Sequence, residues 1–200
     1  MAKKKWKGYT WTKTHGYTFA QVWILLEYGN TLDTRVEFSN ELMMGLFWEE
    51  STYQNWWQQG ENGEDLKQHA AGFGQIERTT LGIMNALYKE KRMKYTSELI
   101  VSDPQISVNA SVDYLRYLRK CFPNASKTRI LHNYGGAGEG GTTDVAQKVG
   151  QWLKCEQILQ GARGEFTEKV ITEALTAAEP NHASLIPNVT DGGFSSNLGY

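Results

Sequence analysis

From Asp103 to Pro123 the chain has little choice but to form one long amphipathic helix. Asp103-Pro104 is a start signal, an aspartate able to cap a helix followed by a proline whose fixed φ suits the first turn. Ile106, Val108, Val112, Leu115 and Leu118 make a core stripe, and Pro123-Asn124 stops the pattern, which predicts a helix over 104–121. A helix with one apolar stripe must bury it, and the surrounding chain supplies more helices. Phe19–Tyr28 reads as a short apolar helix closed by Gly29-Asn30. Residues 33–50 follow, with Val36, Leu42, Met43, Leu46 and Phe47 recurring at three- and four-residue steps. Residues 79–92, 125–134, 143–160 and 164–178 also read as helices. The stretch between Ser51 and Ala70 is polar and Gly-rich, a loop, and 135–141 holds five glycines in seven residues. Only Glu98–Ser102 suggests a strand. The expectation is a mainly α domain over 18–178, with an N-terminal arm at 1–17 and an irregular tail at 179–200.

A net charge of −1 exerts no global pull toward nucleic acid or membrane. No stretch approaches the roughly 18 apolar residues of a membrane span. Met1 to Lys5 imitates the head of a signal peptide, but Thr, Tyr, Trp and Lys follow it. The one apolar run, Phe19 to Leu26, contains Gln21 and lacks a small-residue cleavage site after it, so no secretion signal is expected. Cys121 and Cys155 define no metal-ligand spacing and are expected as two reduced, packed thiols. With the four histidines they form no ligand-like cluster, so neither metal nor organic cofactor is expected. The arm interleaves Lys3, Lys4, Lys5, Lys7 and Lys13 with Trp6, Tyr9, Trp11 and Tyr17, a composition that suits an anionic polymer such as nucleic acid or a cell-wall glycan. Seven Trp and ten Tyr in 200 residues would fill a core and also offer flat platforms for sugar rings.

Chemistry concentrates first at Glu49-Glu50-Ser51. Phe47, Leu46, Met43 and Leu42 lie three, four, seven and eight positions before Glu50, which places Glu50 at the end of the apolar stripe. Glu49 is rotated by about 100° from it, toward solvent on this reading. A carboxyl at the edge of an apolar face is partly desolvated, which favours the protonated form that a general acid for glycosidic cleavage requires. A second feature is Ala70-Ala71-Gly72-Phe73-Gly74-Gln75-Ile76, whose small residues permit close backbone approach while Gln75 offers a donor and an acceptor. A third is Asn133-Tyr134-Gly135-Gly136-Ala137-Gly138, a helix end with an amide and a phenol.

Together and in this order these features resemble the soluble lytic transglycosylase and goose-type lysozyme family. In that family a Glu-Ser pair ends a buried helix. A Gly-Leu-Met-Gln-Ile-like stretch follows, then Asp-Pro-x-x-Asn-Ile-x-x-Gly-x-x-Tyr-Leu, then a Tyr-Asn-x-Gly turn. Here Glu50-Ser51 matches the first, and Gly72-Phe73-Gly74-Gln75-Ile76 keeps the Gly, Gln and Ile of the second. Asp103-Pro104, Val108, Tyr114-Leu115 and Tyr117-Leu118 keep the spacing of the third, with Ser107 and Ser111 in place of its Asn and Gly. The resemblance spans roughly residues 33–140. It departs at Gly74, where the family has Met, and at Asn133-Tyr134, which reverses Tyr-Asn.

The resemblance implies a lysozyme-like fold without cofactor that cleaves the bond between N-acetylmuramic acid and N-acetylglucosamine in peptidoglycan glycan strands. Glu50 would be the catalytic acid and base, with Ser51, Gln75, Ile76, Tyr114 and Asn133 or Tyr134 holding the sugar or the acid. A transglycosylase lets the substrate's own 6-hydroxyl attack the anomeric carbon. An inverting lysozyme instead needs a second carboxylate about 6.5–9.5 Å away, for which Asp65, ahead of Glu61 and Glu64, is the candidate. A non-catalytic glycan-binding virion protein and nucleic-acid binding through the arm are the rival readings. Without a leader, such an enzyme reaches the wall by release at lysis or inside a virion, which suits a phage origin.

Overall fold

The computed structural model describes residues 5–6, 9–10, 16–31, 38–58, 64–87, 94–136 and 143–190. The protein is mainly α, as the periodicity predicts. Two short strands, β1 (Lys5–Trp6) and β2 (Tyr9–Thr10), pair antiparallel in the N-terminal arm, whose remaining residues up to His15 lie outside the described set. Helix α1 (Phe19–Thr31) and helix α2 (Asn40–Ser51) follow. A hairpin of β3 (Ala70–Ala71) and β4 (Ile76–Glu77) runs directly into α3 (Arg78–Leu87). Then come α4 (Ser97–Ser102), α5 (Pro104–Cys121), α6 (Lys127–Tyr134), α7 (Thr143–Gly161) and α8 (Glu168–Ala178). A 3₁₀ turn at Pro180–Leu185 and a one-turn helix α9 (Pro187–Thr190) complete the described chain.

Capping explains the boundaries. The Asp103 carboxylate accepts from the Gln105 and Ile106 amides at 2.8 and 3.2 Å, so α5 occupies the predicted span. Ser39, Thr96, Ser126 and Thr167 cap α2, α4, α6 and α8 through their hydroxyls. The predicted helix 33–50 therefore begins only at Asn40, with residues 32–37 outside the described set. Glu98–Ser102 is helical and not a strand. Its β-branched pair Ile100-Val101 suits a strand, but Thr96 and Asp103 cap the segment at both ends and Ile100 is fully buried. Gly29-Asn30 does not stop α1. Gly29 instead lets α1 approach α5, since a Cβ there would lie 3.0 Å from Asn109 Oδ1 and 3.2 Å from Gln105 Nε2. Gln105 Nε2 donates to the Leu25 carbonyl at 3.0 Å across that contact.

The segment after Glu179, expected as irregular, is ordered against the core through Thr190. His182, Ile186 and Val189 are buried, and the His182 ring meets Trp48 edge-on at 6.2 Å. Residues 191–200 of the expected tail lie outside the described set. Cys155 is buried and Cys121 exposed, both as free thiols, so only one of the two is packed.

Helix α2 is the hub. Every residue from Leu42 to Glu49 is buried, because α1, α7 and α8 surround it. One core gathers around α2, while a smaller one forms from Trp57, Ile76, Leu81, Met84, Tyr95 and Ile100. Tyr114 and Tyr117 of α5 pack against both. At the opposite end of α2, the Glu156 carboxylate of α7 takes the Lys127 ammonium at 2.6 and 2.7 Å and the Ser39 hydroxyl, tying the starts of α2 and α6 to α7.

The α2–α7 contact is closest at Gly45, where a Cβ would lie 2.9 Å from the Cys155 Cβ. Gly45→Ala gains about 1 kcal/mol of helix propensity but overpacks the interface at a cost of about 1–3 kcal/mol. Thermal denaturation is expected to show a net loss of stability; an unchanged or raised melting temperature would mean the two helices separate freely.

Candidate functional site

A cleft of about 390 Å³ opens where the two cores part. One wall comes from the end of α2 and from α6 and α7, through Glu50, Tyr134, Gly135, Gly136 and Lys148. The other comes from the β3–β4 hairpin, α3 and the chain before them, through Gln58, Ala70, Gln75, Ile76, Glu77 and Thr80. Tyr114 stands between them, its ring tilted against Tyr134 at a centroid distance of 5.0 Å. Residues far apart in the chain thus face one space.

Glu50 reaches this cleft because the chain turns sharply after Ser51. Thr52 and Tyr53 both adopt left-handed backbone, at φ 51° and 59°, which non-glycine residues seldom do. The Thr52 amide closes α2 on the Trp48 carbonyl at 2.9 Å, and the buried Tyr53 hydroxyl donates to Met44 at 3.2 Å. Ser51, expected to hold the sugar or the acid, is buried outside the cleft lining and donates to the Phe47 carbonyl at 2.9 Å.

Glu49 departs from expectation. It is fully buried, since α2 is covered on all sides and a 100° rotation from Glu50 points into α7, not into solvent. The Lys148 ammonium of α7 lies 2.8 Å from its Oε1 and donates to its Oε2 at 2.9 Å. The same ammonium reaches Glu50 Oε1 at 3.4 Å. Burial, then the neighbouring Glu50 charge, pushes the Glu49 carboxyl up to about 8, against the opposing pull of Lys148. The desolvated carboxyl is therefore Glu49, while Glu50 is the one that lines the cleft. Burial draws the Lys148 ammonium down, but the two carboxylates outweigh this and hold it above its ordinary value.

The hairpin packs its backbone closely against α5 and Tyr134. Gly72, at φ 80°, has no room for a side chain, since a Cβ would lie 2.4 Å from both Ile100 Cγ2 and Ser107 Oγ. Ser107 accepts from the Phe73 amide at 2.9 Å, and Ser111 donates to the Ser107 carbonyl at 3.0 Å. Gln75 is also left-handed, at φ 44°, and is held by its Nε2 donating to the Gly72 carbonyl at 2.8 Å. At Gly74 a Cβ would lie 2.1 Å from the Tyr134 hydroxyl, which donates to the Gly74 carbonyl at 2.9 Å. Gly at 74 and Tyr at 134 are one arrangement: the phenol occupies space that a side chain at 74 would fill.

Of the pair Asn133-Tyr134, it is Tyr134 that lines the cleft. Burial, and then the Glu50 charge, raises its phenol well above the usual range and keeps it a hydrogen-bond donor. Asn133 does not line the cleft, and its Nδ2 is buried without a hydrogen-bond partner. Asp65 also lies outside the lining, accepting from Trp56 Nε1 at 3.1 Å. Glu64 is exposed elsewhere, and Glu61 falls outside the described residues. The second carboxylate in the cleft is Glu77, which sequence reasoning missed although it directly follows Gln75-Ile76. Lys148 was missed too. Its signal was a lysine three residues after Val145 and four before Trp152, at a spacing that calls for an apolar side chain. Among the described residues no His, Cys, Asp and Glu side chains cluster as metal ligands, and no helix is long and apolar enough to cross a membrane.

Compared with protein-family models, curated proteins and solved structures, the chain matches none.

Two outcomes follow from this geometry. Glu49 keeps its proton in the folded chain over a range where the unfolded chain has lost it, so its contribution to stability is complete below pH 4.5 and lost as pH rises through about 8. Melting temperature should fall across that window, and Glu49→Gln should flatten the slope; an equal slope in the variant would assign it to another group. Gly74→Ala should cost about 1–3 kcal/mol by overpacking. Adding Tyr134→Phe, which deletes the clashing oxygen, should recover part of that loss in a double-mutant cycle.

Proposed function

We propose that this cleft binds the glycan strands of bacterial peptidoglycan and that Glu50 cleaves the bond between N-acetylmuramic acid and N-acetylglucosamine. The observation that carries the reading is convergence: Glu50, Gln75, Ile76, Tyr114 and Tyr134, from four separate motifs, line one polar cleft. Glu50 gives its proton to the bridging oxygen as the bond to the anomeric carbon breaks. The resulting carboxylate then takes the proton of the muramic 6-hydroxyl as that oxygen bonds to the same carbon. The product is a 1,6-anhydro sugar, and no second carboxylate is consumed. Tyr134 and the Gln75 backbone shape the wall beside the acid, and Tyr114 offers a ring face to a sugar. Such an enzyme acts at the bacterial cell wall.

Hydrolysis is the second reading, and the presence of Glu77 in the cleft is what favours it. A carboxylate there could activate water on the far face of the sugar, the role first given to Asp65.

Mass analysis of products from purified peptidoglycan separates these readings. Anhydro ends are expected, and reducing ends would indicate hydrolysis with Glu77 as base. Glu50→Gln should lower turnover at least about 100-fold with the fold intact, whereas Asp65→Asn should leave it near wild type. Glu77→Gln should abolish activity only if water is the nucleophile. Binding without any product from the wild type would leave a glycan-binding protein.

A further inference from the structure

Lys148 is the only cation among the described residues that line the cleft, and it does not project freely into it. Its side chain is 17% exposed, and its ammonium sits between two carboxyl groups adjacent in sequence. On one side is Glu49, buried and immobilised in the α2–α7 interface. On the other is Glu50, whose side chain is 18% exposed. A glutamate at a helix end has several staggered rotamers open to it, and only some direct its carboxyl toward the cleft. A lysine on a four-carbon stem is too flexible to select one unless it is anchored itself. Glu49 provides that anchor, with contacts of 2.8 and 2.9 Å against the 3.4 Å to Glu50. The shorter contacts hold the lysine, and the longer one directs the acid.

We propose that Lys148, anchored by Glu49, is a positioning residue for Glu50, fixing which rotamer and which oxygen the acid presents to the cleft. This rests on the reading of Glu50 as the acid and base. An ammonium only donates, so Glu50 Oε1 must accept from it in either protonation state. A positive charge beside Oε1 disfavours a proton on that oxygen, which assigns the transferable one to Oε2. When Oε2 has given its proton to the bridging oxygen, the same ammonium faces the new carboxylate without moving, a charge arranged in advance of the step. Its taking the proton of the 6-hydroxyl restores the starting state, so Lys148 neither gains nor loses a proton.

The test compares Lys148→Met, Lys148→Arg, Glu49→Gln and the Glu49→Gln/Lys148→Met pair in the full chain, each checked for folding by circular dichroism. On purified peptidoglycan, Lys148→Met should lower kcat on the order of 100-fold, the scale of a misplaced catalytic group. KM should stay within about twofold, since ground-state binding is untouched. Lys148→Arg should recover part of kcat, and the double variant should be no slower than Lys148→Met alone. A folded Lys148→Met with wild-type kcat overturns the proposal. A second arm needs no activity: carbon-13 spectra of carboxyl-labelled glutamate, with the Glu50 signal assigned through Glu50→Gln. That signal should move in both Lys148→Met and Glu49→Gln at constant pH. A stationary signal in folded variants overturns the proposal, whatever the enzyme does. A moving signal in a chain that releases no product upholds the positioning contact and defeats the cleavage reading.

Discussion

The Lys148 ammonium between Glu49 and Glu50 is the contact on which the arrangement of this molecule turns. Helix α2 is buried over nearly its whole length, so its last turn has no apolar face to spare and no solvent-facing side before Glu50. A carboxylate entering that environment alone would be far too costly. Glu49 is tolerated because burial keeps its carboxyl protonated up to about pH 8 and the Lys148 ammonium of α7 donates to it at 2.9 Å. Gly45 is what lets α7 come that near, with the Cys155 Cβ where a larger residue's own would be. The packing of two helices and the charge state of the site are thus set by the same close approach.

On the opposite wall the fit is steric. Gly72 and Gly74 bring the hairpin backbone onto Ser107, Ser111 and Tyr134, and each serine hydroxyl finds a backbone partner. Tyr134 then holds the Gly74 carbonyl from across the cleft. Neither residue stands alone, because any side chain at 74 would need the space the phenol occupies. What reads along the chain as two separate positions is, in space, a single fit of volumes.

Much of the fold is legible in the residues themselves. Helix α5 announces its start, stripe and stop within one stretch, so its boundaries coincide with prediction. α4 does not, because six residues are too few for periodicity to show, and β-branched residues outweigh a cap signal at that length. The ordered 180–190 segment is hidden for another reason: Pro, Asn and Ser mark turns, but whether a turn packs depends on what Trp48 and its neighbours leave uncovered. At the cleft, Glu50, Gln75 and Tyr134, which motif order singles out, share one lining. Ser51 and Asn133 share those motifs yet point away, since neighbouring helical positions differ by about 100°. Glu49 was misplaced because helical periodicity assumes one buried face, and α2 has none that is free.

The last turn of α2 combines several costs. A buried pair of ionisable groups seldom improves stability over well-packed apolar residues of like size. Left-handed Thr52 and Tyr53 each add about 1–3 kcal/mol of backbone strain, and Gln75 repeats that strain across the cleft. Stability alone would favour an apolar pair in place of Glu49 and Lys148 and a glycine at 52. Their coincidence around one accessible carboxyl is what a preorganised acid needs: a fixed rotamer, a fixed neighbouring charge, and a chain that turns away at once to leave the cleft open. On that argument Glu50 matters less as an isolated glutamate than as the exposed end of a buried Glu49–Lys148 pair, and the reactivity proposed for it is a property of α2 and α7 packed together.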